Sequence, residues 1–304
     1  MVIGPLSQVV GTDQAGEQLS FPGGGLPWTA NALTILRRAA VAVPADDRGG
    51  SPKLSDTAAR NWATRTWLGQ RGPDKEPSPI VRAVIRRRVA AVHALTEDPG
   101  RSNGDGAAGP KPACFLIRLR PDGPVLVGAA ERGIRDVGMS LHGTYGWPII
   151  PGSALKGAAH AYARDEEGME AGERERIFGS PRPGGDGVGE EAARGGVTFL
   201  DALPASADLE IAEDVLTPHA KEYYINGKPP AEYWQPVPVP FLTVRAGDWW
   251  TFCLGSPEDA QTAAELLAAA AVTIGLGAKT AAGYGYMDEA VAVPRRIDAG
   301  AASR

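Results

Sequence analysis

The stretch Ile149-Ile150-Pro151-Gly152-Ser153-Ala154-Leu155-Lys156-Gly157-Ala158-Ala159-His160-Ala161-Tyr162-Ala163-Arg164 passes from an apolar pair through Pro-Gly into an alanine-rich run. That passage predicts a strand end followed directly by a helix, with Ser153 placed as its cap. Upstream, Ala113-Cys114-Phe115-Leu116-Ile117-Arg118-Leu119-Arg120 reads as a strand, and the turn Pro121-Asp122-Gly123 before Val125-Leu126-Val127 predicts a hairpin. Downstream, β-like runs occupy Val197 to Leu203, Glu210 to Leu216, Val237 to Val244 and Trp249 to Leu254. Ser256-Pro257-Glu258-Asp259 then supplies a capping serine, a first-turn proline and an acid three residues on, which predicts a helix to about Thr273. A last strand is expected to end near Pro294. The resulting order of β, helix, β, β, helix, β predicts an α+β, ferredoxin-like (RRM-like) domain with insertions over residues 111–294, two helices covering one face, and a tail at 295–304.

The first third has another texture. Trp28, Leu33, Leu36 and Ala40 recur at helical spacing, and apolar residues 81, 84, 85, 89 and 92 form one stripe with arginines largely opposite. Residues 1–110 therefore read as a helical region ending in a linker, Asp98 to Pro112, with almost nothing to bury. The glycine-rich run 179–196 matches no motif. With 39 glycines and 26 prolines in 304 residues, irregular connections are expected throughout.

The net charge is −5, which argues against nucleic-acid binding by bulk electrostatics. The charge is unevenly distributed, however: residues 1–110 carry +3 and residues 111–304 carry −8, with a positive cluster at Arg82, Arg86, Arg87 and Arg88. Cys114 and Cys253 sit far apart inside apolar runs and read as buried thiols in a reducing compartment. The start carries no basic leader, and no window approaches 18 uncharged apolar residues, so a soluble, cytoplasmic protein is expected.

Two segments have the chemistry to hold anions. Gly275-Leu276-Gly277-Ala278-Lys279-Thr280-Ala281-Ala282-Gly283-Tyr284-Gly285 places glycines around a Lys-Thr pair, and successive amides in such a turn form a concavity for phosphate. The plainer alternative is a loop that needs glycine only to pass from helix to strand. It is not a Walker A loop, because Ala278 precedes Lys279 and the order is helix to strand. The second segment is the helix start at Gly152, Ser153 and Lys156, where free amides meet a lysine. Against this stands the reading of a simple cap beside a solvated lysine.

His93, His142, His160 and His219 lack zinc-like spacing, and no metal or other cofactor is expected. His142, in a glycine-flanked aromatic loop, has the chemistry of a general base or a base-stacking ring, or simply satisfies loop backbone. Asp201 and Asp214 are carboxylates near strand ends that would serve a metal nuclease only if they converged.

Taken together, Pro151 to Gly157, Ile177-Phe178-Gly179, Gly275 to Thr280 and Gly283-Tyr284-Gly285 resemble the RAMP superfamily of CRISPR-associated proteins. Asp214-Val215-Leu216-Thr217-Pro218-His219, Tyr223-Tyr224 and Pro236 to Val244 narrow the resemblance to RAMP subunits of type III-B effector complexes. What the resemblance implies is a non-catalytic subunit that binds guide RNA (crRNA) toward its 3′ end. It would pack beside other RAMP subunits and small helical subunits, and meet target RNA through the complex. Gly152, Ser153, Lys156, Gly275, Gly277, Lys279, Thr280, His142, Arg82 and Arg86 are the expected RNA contacts, and Ala154 departs from the serine more usual in the motif. The rival is a metal-independent endonuclease that processes guide precursors through His142 or His219. A third reading is a protein-binding scaffold, with Arg82 and Arg86 to Arg88 contacting acidic neighbours.

Overall fold

The computed structural model describes residues 2–3, 10–14, 18–20, 31–38, 40–43, 53–55, 57–66, 79–97, 111–128, 139–180, 193–205, 209–217, 221–229, 236 and 238–297. In chain order the elements before residue 113 are β1 (Val2–Ile3), β2 (Gly11–Thr12), β3 (Leu19–Ser20), α1 (Ala32–Arg38), β4 (Ala40–Val43), β5 (Lys53–Ser55), α2 (Thr57–Thr66) and α3 (Pro79–Glu97). After them come β6 (Ala113–Leu119), α4 (Gly152–Asp165), α5 (Ala171–Phe178), β7 (Thr198–Phe199), β8 (Leu203–Pro204), β9 (Glu210–Leu216), α6 (Lys221–Asn226), β10 (Val239–Ala246), β11 (Trp249–Gly255), α7 (Pro257–Thr273) and β12 (Arg295–Arg296).

The central sheet runs β12-β6-β11-β7, antiparallel throughout, with β8 also on β11. Its middle pair is in register from Trp249 opposite Leu119 to Gly255 opposite Ala113. Because opposed residues share a face, Phe115, Ile117 and Cys253 join the large core with α4 and α7, while Cys114, Leu116, Phe252 and Leu254 pack with Val89 and Val92 of α3. The two thiols thus lie on opposite faces, both buried; burial pushes the Cys114 thiol up to about 12, and that of Cys253 higher still. Alternating apolar residues alone do not announce a sheet covered on both sides, but a strand apolar on both faces does, and in β6 only Arg118 is exposed.

Helix α7 starts where expected: Ser256 Oγ accepts from the Asp259 amide at 3.2 Å. Its buried Ala260, Ala263, Ala264, Ala270 and Ala271 allow close approach of α4, which contributes Ala159 and Ala163. The α5 helix that follows α4 meets the start of α7, where Arg176 pairs with Asp259 at 2.9 Å, and Tyr162 near the end of α4 shares a groove with Thr262 and Leu266. The two helices therefore run antiparallel, and the start of α4 lies toward the end of the sheet from which the loop after α7 emerges.

Several expectations change. Residues 1–110 hold strands as well as helices: β1, β4 and β5 form a three-stranded sheet, β2 pairs with β3, and Ala40 lies in β4 rather than on a helix. Trp28 and most of the expected linker fall outside the described residues. The hairpin expected after β6 does not form, because Pro121 bridges Met287 and Val125 bridges Val244; long-range partners outcompete the local turn. The expected strand at 197–203 is broken into β7 and β8, with Leu200 bonded to Phe252 and Ala202 to Ile150 between them. The last segment shows one bridge at Met287 and a turn at 289–291, and β12 falls inside the expected tail, opposite Phe115 and Leu116. Strands β9 and β10 form a hairpin, Val239 opposite Leu216 through Val244 opposite Ile211, with a bulge before Ala246. Among the described residues no helix is long and apolar enough to cross a membrane.

Candidate nucleic-acid interface

The loop after α7 folds back on the segment following β6. Leu276 donates to Gly285 at 2.8 Å, Ala278 to Leu126 at 2.8 Å and Gly285 to Pro124 at 2.8 Å. At Gly277, with φ +99°, a Cβ would lie 2.5 Å from the Leu126 carbonyl, so this close approach excludes any side chain. Lys279 is the sole non-glycine described residue with positive φ, at φ 61° and ψ 32°. Left-handed backbone costs a lysine about 1–2 kcal/mol, and such strain collects at functional positions. A 3-10 turn at Thr280–Ala282 follows directly. Among the described residues the amides of Lys279, Thr280 and Ala281 meet no backbone acceptor, while Ala282 and Gly283 close back on Lys279 and Thr280. Three consecutive N–H groups without a backbone acceptor thus lie beside an exposed lysine, the donor chemistry that suits an anion.

The start of α4 differs from expectation. Pro151, not Ser153, is the N-cap residue, and no side chain of its own caps the helix. Instead the Gly152 amide donates to Asp201 Oδ1 at 2.7 Å. Gly152 is there because a Cβ would fall 2.2 Å from the Phe199 carbonyl. The carboxylate of Asp201 thus occupies the positive end of the helix, as the dipole favours. Exposed Ser153 and half-buried Lys156 remain on the first turn.

A ladder of backbone bonds joins the two segments: Ala278 to Leu126, Ser140 to Val127 at 2.9 Å, and Ile149 to Ser140 at 2.9 Å, three residues before Gly152.

His142 lies beside this ladder. Its Nδ1 accepts from the amides of Thr144 at 3.1 Å and Tyr145 at 3.3 Å, which places the proton of the neutral ring on Nε2. Burial lowers its pKa from the ordinary histidine value; Asp201 opposes the shift and Arg88 adds to it. The ring stacks on Tyr145 at 4.7 Å, and Tyr145 on buried Trp147 at 4.6 Å. This three-ring stack abuts Val81, Val84 and Ile85 of α3. His219 lies outside the described residues.

Arg82 and Arg86 are exposed, one turn apart on α3. Arg88, read from sequence as one of the same cluster, turns inward: it donates to the carbonyls of Trp250 at 3.2 Å and Asp201 at 2.6 Å and lies 5.2 Å over the Phe252 ring. Burial lowers its pKa, opposed by Asp201. The carboxylates Asp201 and Asp214 do not share partners: Asp214 accepts from the Tyr284 hydroxyl at 2.9 Å and pairs with Arg245 at 3.8 Å. No group of three or more metal-type side chains occurs among the described residues. One cluster escaped the sequence reading. Buried Asp248 holds both Arg118 and Arg120; the signal was the exposed position that interrupts an apolar strand, followed by a second arginine at strand period.

An antiparallel sheet with two helices on one face, carrying a strained glycine-lysine loop at one end, defines a recognisable class. The family model of the RAMP superfamily matches residues 118–288, more than half of the chain, and the chain belongs to that superfamily. Within it the chain is similar to the CRISPR system Cmr subunit Cmr6 of Pyrococcus furiosus, at 27% identity over 229 residues, covering 57% of this chain and 67% of that relative. The fold is shared with a chain in a cryo-EM structure of the type III-B Cmr-beta assembly bound to cognate target RNA, with TM-score 0.55, 20% identity and coverage of 79% of this chain and 72% of that one. The crystal structure of Pyrococcus furiosus Cmr6 matches at TM-score 0.35 and 23% identity, over 58% of this chain and 97% of that one.

Proposed function

We propose that this chain is a structural, non-catalytic subunit of a type III-B Cmr effector complex, cytoplasmic, and that it holds the guide RNA by its backbone toward the 3′ end. The sheet order fits this reading: taken as β6, β7, β11 and β12, the strands follow the fourth-first-third-second arrangement of a split βαβ, ferredoxin-like domain that begins near residue 111 and takes in β12 from the expected tail. The observation that carries it is the Lys279 loop, whose amides and ammonium contact phosphates without reading sequence and leave bases free to pair. Ser153 and Lys156 at the start of α4, with Gly152 allowing its approach to β7, extend the track. Gly275, Gly277 and Thr280 shape the loop. Exposed Arg82 and Arg86 add positive charge near the His142 stack, where Nε2–H serves as a donor to RNA rather than as a proton acceptor. Neighbouring RAMP subunits and small helical subunits are the protein partners, and target RNA is met through the complex.

The test is guide retention by the assembled complex in a salt series, wild type against Lys156→Ala plus Lys279→Ala. Two lost phosphate contacts reduce the log-log salt slope by roughly 1.4. Unchanged retention and slope would remove both lysines from the RNA path. Cleavage of precursor RNA in chelator, abolished by His142→Ala or His219→Ala, would support the endonuclease instead.

A further inference from the structure

Asp248 is buried, its side chain 6% exposed, yet it accepts from two arginines that are 45% and 42% exposed. Arg118 reaches Oδ2 through Nε at 2.9 Å and through Nη2; Arg120 reaches Oδ1 through Nε at 2.7 Å and Oδ2 through Nη2 at 3.1 Å. One buried anion therefore orients two guanidinium groups at the surface. Both guanidinium groups keep a large share of their surface open to solvent while their orientation is held from below.

The register extends the patch. Arg295 of β12 stands opposite Leu116, so it shares the face of Leu116 and Arg118, and it is exposed. Half-buried Trp250 stands opposite Arg118 on the neighbouring strand. All of these are on the face of the sheet away from α4 and α7, where α3 covers the Cys114 and Phe252 end and reaches Trp250 through Val84, Ile85 and Arg88. The strip also adjoins the glycine loop: Asp288 donates to the Arg120 carbonyl at 2.8 Å, and Pro121 bridges Met287.

We infer that Arg118, Arg120 and Arg295 form a second phosphodiester-binding strip, which takes the RNA strand onward from the Lys279 loop across the open part of the sheet. Planar guanidinium forks match phosphate oxygens bidentately, which a lysine cannot do. Asp248 is a positioning residue. The inference takes the identity of its ligand from the proposed guide-holding function, and its position from the arginines alone.

The experiment measures guide-RNA retention against salt in the assembled complex for Arg118→Lys plus Arg120→Lys, for Arg295→Gln, and for Lys279→Ala. The lysine pair keeps the charge over Asp248 but loses the forks, so retention falls several-fold with little change in slope. Arg295→Gln, at an exposed position whose loss does not threaten folding, lowers the slope by about 0.7. If Lys279→Ala weakens retention while both arginine variants leave it unchanged, the strip does not touch RNA and the loop assignment stands. If none of the three weakens it, both fail. If the arginine variants instead release the subunit from its protein neighbours without affecting RNA, the strip is a protein interface and the inference is overturned.

Discussion

The Tyr284 hydroxyl donates to Asp214 Oδ2 at 2.9 Å and thereby ties the loop carrying Lys279 to β9 of the β9–β10 hairpin. The Tyr284 ring also packs against Phe241 of β10, with centroids 5.9 Å apart. Burial raises the phenol pKa, and the hydrogen bond to the Asp214 carboxylate raises it further. Tyr284→Phe removes one partly buried hydrogen bond, a loss of about 1 kcal/mol. Hydrogen exchange at the Ala278 and Gly285 amides should accelerate, since both belong to the same fold-back; unchanged exchange would mean that the loop is held without this tether.

The Gly152 amide is committed to Asp201, so the start of α4 is partly neutralised. Asp201→Asn keeps an acceptor and removes the charge. Stability should fall by well under 1 kcal/mol, whereas Asp201→Ala costs about 1 kcal/mol as a lost cap. If Ser153 and Lys156 touch guide phosphates, Asp201→Asn should also tighten guide retention. A weaker grip on RNA in that variant would place the strand elsewhere.

Gly277→Ala meets two obstacles at once, a φ of +99° and a contact at 2.5 Å with the Leu126 carbonyl. The expected penalty is about 3 kcal/mol, measured by denaturant unfolding. A neutral result would mean that the fold-back rearranges freely.

His142 gives a pH dependence of definite sign. Its folded-state pKa is lowered below the ordinary 6.5, chiefly by burial. Between the lowered value and 6.5 the unfolded chain binds more protons, so stability rises with pH across that window and is constant above it. His160 is shifted the same way, by burial and then by Arg174, Arg164 and Lys156. His142→Asn retains an acceptor for the Thr144 amide and removes the titration. Thermal melts from pH 5 to 8 should show a shallower slope in the variant; an identical slope would assign the effect to other groups.

The sequence carried much of the sheet and little of its surroundings. Apolar runs such as Trp249 to Leu254, and the Ser256 cap, are local signals, and β11 and α7 appear where they predict. The segment after Arg120 was misread as a hairpin because its partners, Val244 and Met287, lie over a hundred residues away, and no local pattern encodes that choice. Likewise the capping of α4 by Asp201 is invisible from Ser153 alone, which has the right chemistry two positions too late. The short strands of residues 1–110 span two to four residues each, too few for an alternation to show. In the candidate site the glycine-lysine loop was legible from composition, but the left-handed conformation of Lys279 was not. The Asp248 pairing joins residues 118, 120 and 248 and becomes visible only once β6 lies beside β11.

Lys279→Gly separates strain from function at the position on which everything else rests. Glycine relieves the left-handed backbone but adds freedom to the unfolded chain, so stability should stay level or rise by up to about 1 kcal/mol. Measured in the same assembled complex, guide retention should drop and the salt slope fall by about 0.7. A variant that is as stable as wild type and holds the guide equally well at every salt concentration would contradict the claim that Lys279 grips RNA.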